Sequence, residues 1–258
     1  MGSLGVYEVR DRIAIAVRDW HAWSPAFASK SLWRQWARAD VSGCADFPAD
    51  NEAEAAPLPM ALRRRATPLG QRILSSAIAA GGLAKTPRYI LACRHGEFSR
   101  FLGILGSIAR DEAPSPAEFS MSVHHALAGL LSIQAGNTQG HTAIAAGTDT
   151  FEMALLEAAA CLAEDPDTPV LLIYGDEPLT GAYAAYNDAF DTEAFVAAFA
   201  LTGSSGGLRG IELDHDGQTK ATGNAVCGAR EFLKFYLSGA TSGRSANGRM
   251  QWRLQHDS

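Results

Sequence analysis

Residues 141–164 read "HTAIAAGTDTFEMALLEAAACLAE" and combine three local signals. Small and β-branched residues in "HTAIAA" predict a buried strand, Gly147 predicts a tight turn, and the long apolar run predicts a helix packed between two layers. Enzymes use this arrangement to hold a nucleophile at a helix N-terminus, where backbone amides stabilise negative charge. Here the turn carries Thr148, Asp149 and Thr150, with neither cysteine nor serine.

Strands and helices alternate on both sides of this stretch. The predicted elements are a strand at 12–17, a helix at 30–39, an irregular loop at 40–60, a helix at 68–81, a strand at 88–94, a helix at 97–110, a segment at 119–136 with a helical second part, and a strand at 169–178. Such alternation predicts an α/β layer sandwich with a largely parallel sheet.

The pattern changes towards the C-terminus. Two apolar runs flank "GSSGG" (203–207) and predict an antiparallel pair over residues 194–217. A last helix is predicted at 226–239 and a final strand at 250–256, with a flexible Gly/Ser-rich loop between them. The chain has no internal repeat and no interdomain linker, so we expect one domain over residues 1–258.

Composition excludes several classes of function. The chain has 258 residues, 47% hydrophobic, with a formal net charge of -6. Its one basic cluster, residues 63–65, is interpreted as a solvated helix start, and a nucleic-acid partner is not expected. No apolar run approaches the ~18 residues of a membrane span, and charged residues interrupt the N-terminal apolar run, which is therefore no signal peptide.

Cysteine and histidine spacing indicates neither a metal site nor a cofactor. Cys44, Cys93, Cys161 and Cys227 lie far apart and match no metal or redox motif, so we expect reduced thiols in a cytoplasmic protein. Cys161 lies about three turns into the predicted helix and is interpreted as a packing residue. The pair His124–His125 lacks a partner four residues away, and one buried and one surface histidine are expected.

The turn itself offers little chemistry. Thr148 would need a base to activate its hydroxyl, and none lies nearby in sequence. Asp149 is followed three residues later by Glu152, a capping-box-like pair in which Asp149 accepts a hydrogen bond from a first-turn amide. The turn is therefore predicted to start a helix rather than to perform catalysis.

The segment "SMSVHHALAGLLSIQAGNTQGHTAIAAGT", which ends at Thr148, resembles part of the β-ketoacyl-acyl carrier protein synthase family. In that family a "NAVAGQLSI"-type helix, a glycine-bearing loop and a "TAVSTAC"-like strand lead into the active-site cysteine. The two sequences register without a gap from residues 131–133 onward, and the cysteine falls on Thr148. The resemblance covers residues 10–215 and is sharpest at 119–176. It implies a truncated thiolase-like fold, mainly the N-terminal half with α-β-α layers, followed by a C-terminal extension (216–258) with a small helix and strand.

Two departures from the family matter for function. The cysteine is missing, and so is the second half, whose "HGT" and "GH"-type motifs supply two catalytic histidines; the later histidines here are His215 and His256. The chain therefore resembles the small ketosynthase-like subunits of aryl polyene and xanthomonadin-type pathways, which look like chain-length factors. This implies a non-catalytic subunit that forms a heterodimer with a full-length β-ketoacyl-acyl carrier protein synthase and meets acyl carrier protein only indirectly.

The resemblance also implies two sites. In ketosynthase dimers the strand before the cysteine pairs with its copy across the twofold axis, and a homodimer is expected where the partner is absent. The corresponding interface residues are Thr142, Ala143, Ile144, Ala145 and Ala146. The segment before the "NAVAGQLSI"-like helix lines the end of the partner's acyl tunnel, and its bulky apolar members here are Phe119 and Met121. The alternative is that both residues pack under the helix N-terminus.

Two other functions stay open at this point. One is an independent acyltransferase or thioesterase-type enzyme whose nucleophile lies elsewhere. The other is a small-molecule-binding α/β module without a partner, which predicts a monomer with no exposed apolar patch.

Overall fold

One mixed sheet organises the chain. The computed structural model describes residues 13–39, 58–204, 208–216 and 226–255, so most of the loop expected at 40–60, and Cys44 within it, lies outside the described residues. The strands are β1 (Ile13–Trp23), β2 (Arg88–Ala92), β3 (His141–Ile144), β4 (Val170–Asp176), β5 (Phe195–Gly203), β6 (Gly210–His215), β7 (Ser242–Arg244) and β8 (Met250–Leu254). Their order across the sheet is β3-β2-β4-β5-β1-β6-β8-β7.

Helices cover both faces of the sheet. They are α1 (Lys30–Arg38), α2 (Met60–Arg63), α3 (Pro68–Ala79), α4 (Phe98–Ala109), α5 (Pro116–Met121), α6 (Ala126–Ala135), α7 (Thr150–Glu164) and α8 (Gly228–Ser238). One core joins the sheet to α1, α7 and α8, and contains Trp33, Phe151 and Phe232. A second core joins the opposite face to α3 and α6, and contains Ile73 and Leu131. The predicted α-β-α layers are confirmed.

The sheet is less parallel than predicted. Parallel pairing is found between β2 and β3 and between β2 and β4, whereas the other pairings are antiparallel. Parallel neighbours need a crossover, usually a helix. Helices lie between β2 and β3 and between β3 and β4, whereas β5, β6, β7 and β8 follow one another with a single helix among them.

The predicted antiparallel pair at 194–217 is wrong. β5 and β6 do form there, but β1 lies between them and pairs antiparallel with both. Ile15 and Ala16 in β1 are fully buried, and a strand buried on both faces needs a neighbour on each side to satisfy its backbone. Residues 205–207 of the expected hairpin turn lie outside the described residues.

Two segments for which no helix or strand is predicted are ordered. α5 begins between the predicted helix at 97–110 and the segment at 119–136, because Ser115, Pro116 and Glu118 together form a helix-start signal. β7 lies within the predicted Gly/Ser-rich loop and pairs with β8. A Cβ atom on Gly243 would lie 2.1 Å from Nε1 of Trp252. Because glycine has no Cβ atom, the two strands can pair at this position without a clash with the Trp252 ring.

The C-terminal residues belong to the same sheet and the same core. β8 pairs with β6, and Phe232 of α8 lies at the centre of an aromatic cluster. Its ring centroid is 5.6 Å from that of Phe151, 5.3 Å from Phe199 and 5.5 Å from Trp252. The predicted extension (216–258) therefore adds two strands rather than one, and covers the helix that follows the turn.

Among the described residues, no helix is long and apolar enough to cross a membrane.

Candidate functional site

The turn after β3 is an exposed bend between a strand and a buried helix. β3 ends at Ile144, and residues 147–149 form a single 3₁₀ turn before α7 begins at Thr150. Gly147 has φ +59°, a left-handed conformation that favours glycine. Residues 145–148, which we name the apex, are all exposed. Thr148, which the sequence resemblance places at the position of the family's nucleophile, is therefore exposed and ends this accessible stretch.

The first residue of α7 forms hydrogen bonds with two backbone groups of the apex. The Thr150 hydroxyl accepts a hydrogen bond from the Ala146 amide at 2.9 Å and donates one to the Gly147 carbonyl at 2.7 Å. Thr148 makes no hydrogen bond to a histidine or carboxylate within the part of the chain that the structure describes. A threonine hydroxyl without a general base is a poor nucleophile.

Asp149 does not form the predicted capping box. Its backbone has φ -93° and ψ 10°, and its side chain makes no capping hydrogen bond, because an N-cap side chain reaches back to the helix from an extended backbone. The carboxylate instead accepts a hydrogen bond from Nδ2 of Asn247 at 2.5 Å and pairs with the Arg249 guanidinium. Both partners lie in the turn between β7 and β8.

Glu152, the second member of the predicted capping-box-like pair, is buried. Its side chain is 2% exposed, and Oε2 has no hydrogen-bond partner. The start of α8 packs directly against it, since a Cβ atom on Gly228 would lie 2.3 Å from Oε1 of Glu152. Burial, together with the charges of Asp149 and Glu231, raises the pKa of Glu152 from 4.5 to about 7. Burial also raises the pKa of Glu231 to about 7, although this carboxylate accepts a hydrogen bond from the Ala246 amide.

Because of these two glutamates, we expect the folded chain to become less stable as the pH rises. Both carboxylates have a higher pKa in the folded chain than in the unfolded chain. Their contribution to the free energy of unfolding is therefore fully present below about pH 4.5 and is lost as the pH rises through about 7. Glu152→Gln removes one buried charge, and we expect it to stabilise the chain by roughly 3 kcal/mol at pH 8 and little at pH 5. Thermal unfolding across this pH range measures the effect.

Glu164→Gln supplies the control for that experiment. Glu164 lies on the same helix, but its side chain is 78% exposed, so its neutralisation should leave the pH profile unchanged. A Glu152→Gln variant with the wild-type slope between pH 5 and pH 8 would show that Glu152 is not the titrating group.

β3 is an edge strand, although its composition predicted a central one. β2 flanks it on one side, and no strand flanks it on the other among the described residues. The carbonyls of Gly140 and Ile144 accept hydrogen bonds from β2. Backbone groups alternate in direction along a strand, so those of His141 and Ala143 face the open edge. An edge of this kind is a template for pairing with another chain.

The five predicted interface residues differ in position. Thr142, Ala143 and Ile144 are half-buried and lie in β3, and Ile144 packs against the core that contains α7. Ala145 and Ala146 lie beyond the strand and are exposed, because the turn begins two residues earlier than predicted. The assignment of all five to an interface stays a prediction.

The two predicted tunnel residues point to different surroundings. Phe119, on α5, is 64% exposed. Met121, at the end of the same helix, is half-buried and packs against the core beneath α6. Packing under the helix thus accounts for Met121 and leaves Phe119 available to another surface.

Sequence analysis missed an apolar surface beside these residues. Outward-facing residues of α4 and α6 include Phe101, Ile108 and Ile133, which are 45%, 53% and 76% exposed. The signal was present in "FSRFLGILGSIA", which is too apolar for a helix in contact with solvent. Together with Phe119 of α5, these side chains make up a set of exposed apolar residues on α4, α5 and α6, which we name the α4–α6 surface. Exposed apolar residues mark an interaction site where they form a contiguous patch.

The predicted histidine pair and the cysteine on α7 differ in their exposure. His124 and His125 are both exposed, whereas one was expected to be buried; the His125 ring lies 5.8 Å from that of His141. Cys161 is buried in the core and is a packing residue, as predicted. In the described part of the chain, no three histidine, cysteine or acidic residues are grouped so that they could hold a metal ion.

A cavity of about 530 Å³ opens at the carboxyl ends of β2 and β4. Its apolar walls include Leu69, Phe98 and Leu102, and its polar wall includes His95. Nε2 of His95 is buried without a hydrogen-bond partner. The volume is sufficient for a small molecule, and this end of parallel strands is where α/β folds bind ligands.

Comparisons with known proteins address the fold. Residues 33–255 match the family described as "Beta-ketoacyl synthase, N-terminal domain", and no curated protein matches the chain. A ketosynthase in complex with its chain length factor from Xenorhabdus doucetiae shares 23% identity over 95% of this chain and 100% of that one, with a TM-score of 0.77. The ishigamide ketosynthase/chain length factor shares 13% over 93% and 82%, with a TM-score of 0.53. The predicted thiolase-like ketosynthase fold is confirmed.

Proposed function

This chain belongs to the family of the β-ketoacyl synthase N-terminal domain, and on that premise we propose that it is a non-catalytic, chain-length-factor-type subunit. It forms a heterodimer with a full-length β-ketoacyl-acyl carrier protein synthase in the cytoplasm and shapes the acyl tunnel of that partner during polyene or fatty-acid-like synthesis. Acyl carrier protein reaches the complex through the synthase. A homodimer forms where the synthase is absent.

One observation carries this proposal: the nucleophile position is exposed and occupied by Thr148, and no base in the described part of the chain is hydrogen-bonded to it. A catalytic turn needs a thiolate or an activated hydroxyl. A turn that lacks both is useful when its surface is an interface. The complexes reported above support this reading, because the Xenorhabdus doucetiae chain matched over its whole length is about as long as this one and comes from a complex of a ketosynthase with a chain length factor.

The surroundings of β3 supply the surface that such a partner needs. The open edge of β3 offers backbone donors and acceptors to an antiparallel strand. The α4–α6 surface adds exposed apolar side chains, with Phe119 the most accessible aromatic ring among them. Obligate interfaces are more apolar than transient ones, and an open strand edge can add backbone pairing to them.

The first test concerns catalysis. The isolated chain should be neither acylated by an acyl-acyl carrier protein thioester nor able to condense malonyl units, and Thr148→Cys should not restore condensation, because the paired histidines of an active synthase are absent. Intact-protein mass spectrometry after a single turnover measures acylation. Acylation of the wild-type chain would favour the independent acyltransferase or thioesterase, and robust condensation by Thr148→Cys alone would contradict the proposal that this chain is non-catalytic.

The second test concerns the tunnel. Phe119→Ala removes a rigid ring that is already exposed, and we expect it to lengthen the products of the reconstituted complex while initial condensation rates stay within about threefold. Mass spectrometry of carrier-bound intermediates measures chain length. Tyr186→Ala removes an exposed ring outside the α4–α6 surface and is the matched control, for which we expect the wild-type length distribution. An unchanged length distribution from an intact complex would exclude Phe119 from the tunnel wall.

The cavity beside β2 and β4 is the observation that favours a second function, a small-molecule-binding module. That function predicts a monomer whose ligand does not depend on a ketosynthase. Sedimentation of the purified chain, with and without a synthase, separates the two functions, since a monomer indifferent to the synthase would contradict the subunit proposal.

A further inference from the structure

The turn between β7 and β8 contacts the residue that directly follows the exposed apex. Asp149, directly after the apex, receives a hydrogen bond from Asn247 and an ion pair from Arg249. The side chains of Asp149 and Arg249 are 15% and 32% exposed, so this contact is partly shielded from water. Charge-assisted hydrogen bonds of this kind are shorter and stronger than neutral ones.

The β7–β8 turn is itself fixed before it meets Asp149. Oδ1 of Asn247 accepts hydrogen bonds from the Ser245 hydroxyl at 2.6 Å and from the Arg249 amide at 2.9 Å. The Ser245 amide donates to the Met250 carbonyl at 2.8 Å. With Oδ1 engaged in this way, the amide nitrogen of Asn247 is aimed at Asp149. The turn thus presents one donor in a set direction, and Arg249 supplies the second.

We propose that Asn247 and Arg249 are positioning residues: through Asp149 they hold the apex, residues 145–148, in the one conformation that the partner synthase recognises. The inference rests on the proposed function. The apex continues directly from the open edge of β3, so any motion of the apex shifts the last residues that an antiparallel partner strand would meet. A recognition loop that is already ordered before binding loses less conformational entropy when the complex forms, so the complex is more stable.

A purely structural role would predict something different. The β7–β8 turn would then support only the fold, and its loss would lower the unfolding temperature without a specific effect on the apex. The positioning role predicts that the amides of the apex become mobile and that partner affinity falls more than stability does. Hydrogen exchange of the isolated chain reports on the first effect and needs no partner.

The experiment compares wild type, Arg249→Gln, Asp149→Asn and the double variant, with Arg253→Gln as control. Arg253 lies on β8 and contacts Gln251, so its change should leave every measurement unchanged. In the two single variants we expect the amides of Ala146 and Asp149, which donate to the Thr150 hydroxyl and the Ala146 carbonyl, to exchange at least tenfold faster, with β2 and β4 unaffected. Affinity for a purified synthase, from surface plasmon resonance, should fall 10- to 100-fold. The double variant should be no worse than either single variant, because all three lose the same contact.

The outcomes separate this inference from the function on which it rests. Failure of the wild-type chain to bind any synthase would overturn the proposed function, and the exchange data would still decide whether the contact holds the apex. Unchanged exchange at the apex in both variants would overturn the positioning role directly. Fast exchange with wild-type affinity would also overturn it, since the partner would then not require a fixed apex.

Discussion

Ile144→Asp is expected to abolish co-purification of the chain with its partner synthase. Ile144 ends the edge strand and packs against the core beneath α7. A charge at this position would lie against this core and, in the proposed complex, beneath the paired strand, without a partner, at a cost of several kcal/mol, or more than 100-fold in affinity. The complex should bury more than the ~2,000 Å² typical of obligate interfaces. Affinity capture from a strain that expresses both proteins measures the loss.

Ala143→Pro keeps this prediction testable if Ile144→Asp weakens the fold itself. The backbone of Ala143 faces the open edge rather than β2 by the alternation of the strand, so proline there removes an outward donor and no bond to β2. The isolated variant should unfold within a few degrees of wild type, yet it should fail to pair. Full recovery of the complex with folded Ala143→Pro would show that β3 does not lie at the interface.

Phe232→Ala should have the largest effect on stability. The side chain is fully buried and contacts aromatic rings from three other elements. Its truncation leaves a cavity worth roughly 3–5 kcal/mol, measured by urea unfolding. Phe119→Ala makes the same truncation at an exposed site and should change stability by less than about 1 kcal/mol.

The same unfolding curves test the proposal of one domain. Phe232 joins the C-terminal extension to the core of the thiolase-like half, so the variant should shift a single transition for the whole chain. Two transitions, with the first half unchanged, would mean that residues 226–255 fold as a separate unit.

Local sequence signals were sufficient to predict most of the helices and strands and the lack of a nucleophile at the turn. The strand, turn and helix around Gly147 and the absence of a nucleophile at Thr148 follow from side-chain periodicity and residue identity over a few positions. Helix α3 begins at Pro68, where the sequence predicted it, because capping and proline signals act within one turn. The layered α/β architecture follows from the same alternation of short patterns.

Long-range pairing was decided only by the tertiary structure. No local pattern states that β1 enters between β5 and β6, or that β3 lies at the edge of the sheet, because strand order depends on which distant segments bury the most surface together. Asp149 and Glu152 formed a plausible capping pair in sequence. The β7–β8 turn and α8, about a hundred residues later, give Asp149 stronger partners and close over Glu152. The sequence by itself determined that this turn lacks a nucleophile, and the fold decided what holds the turn in place.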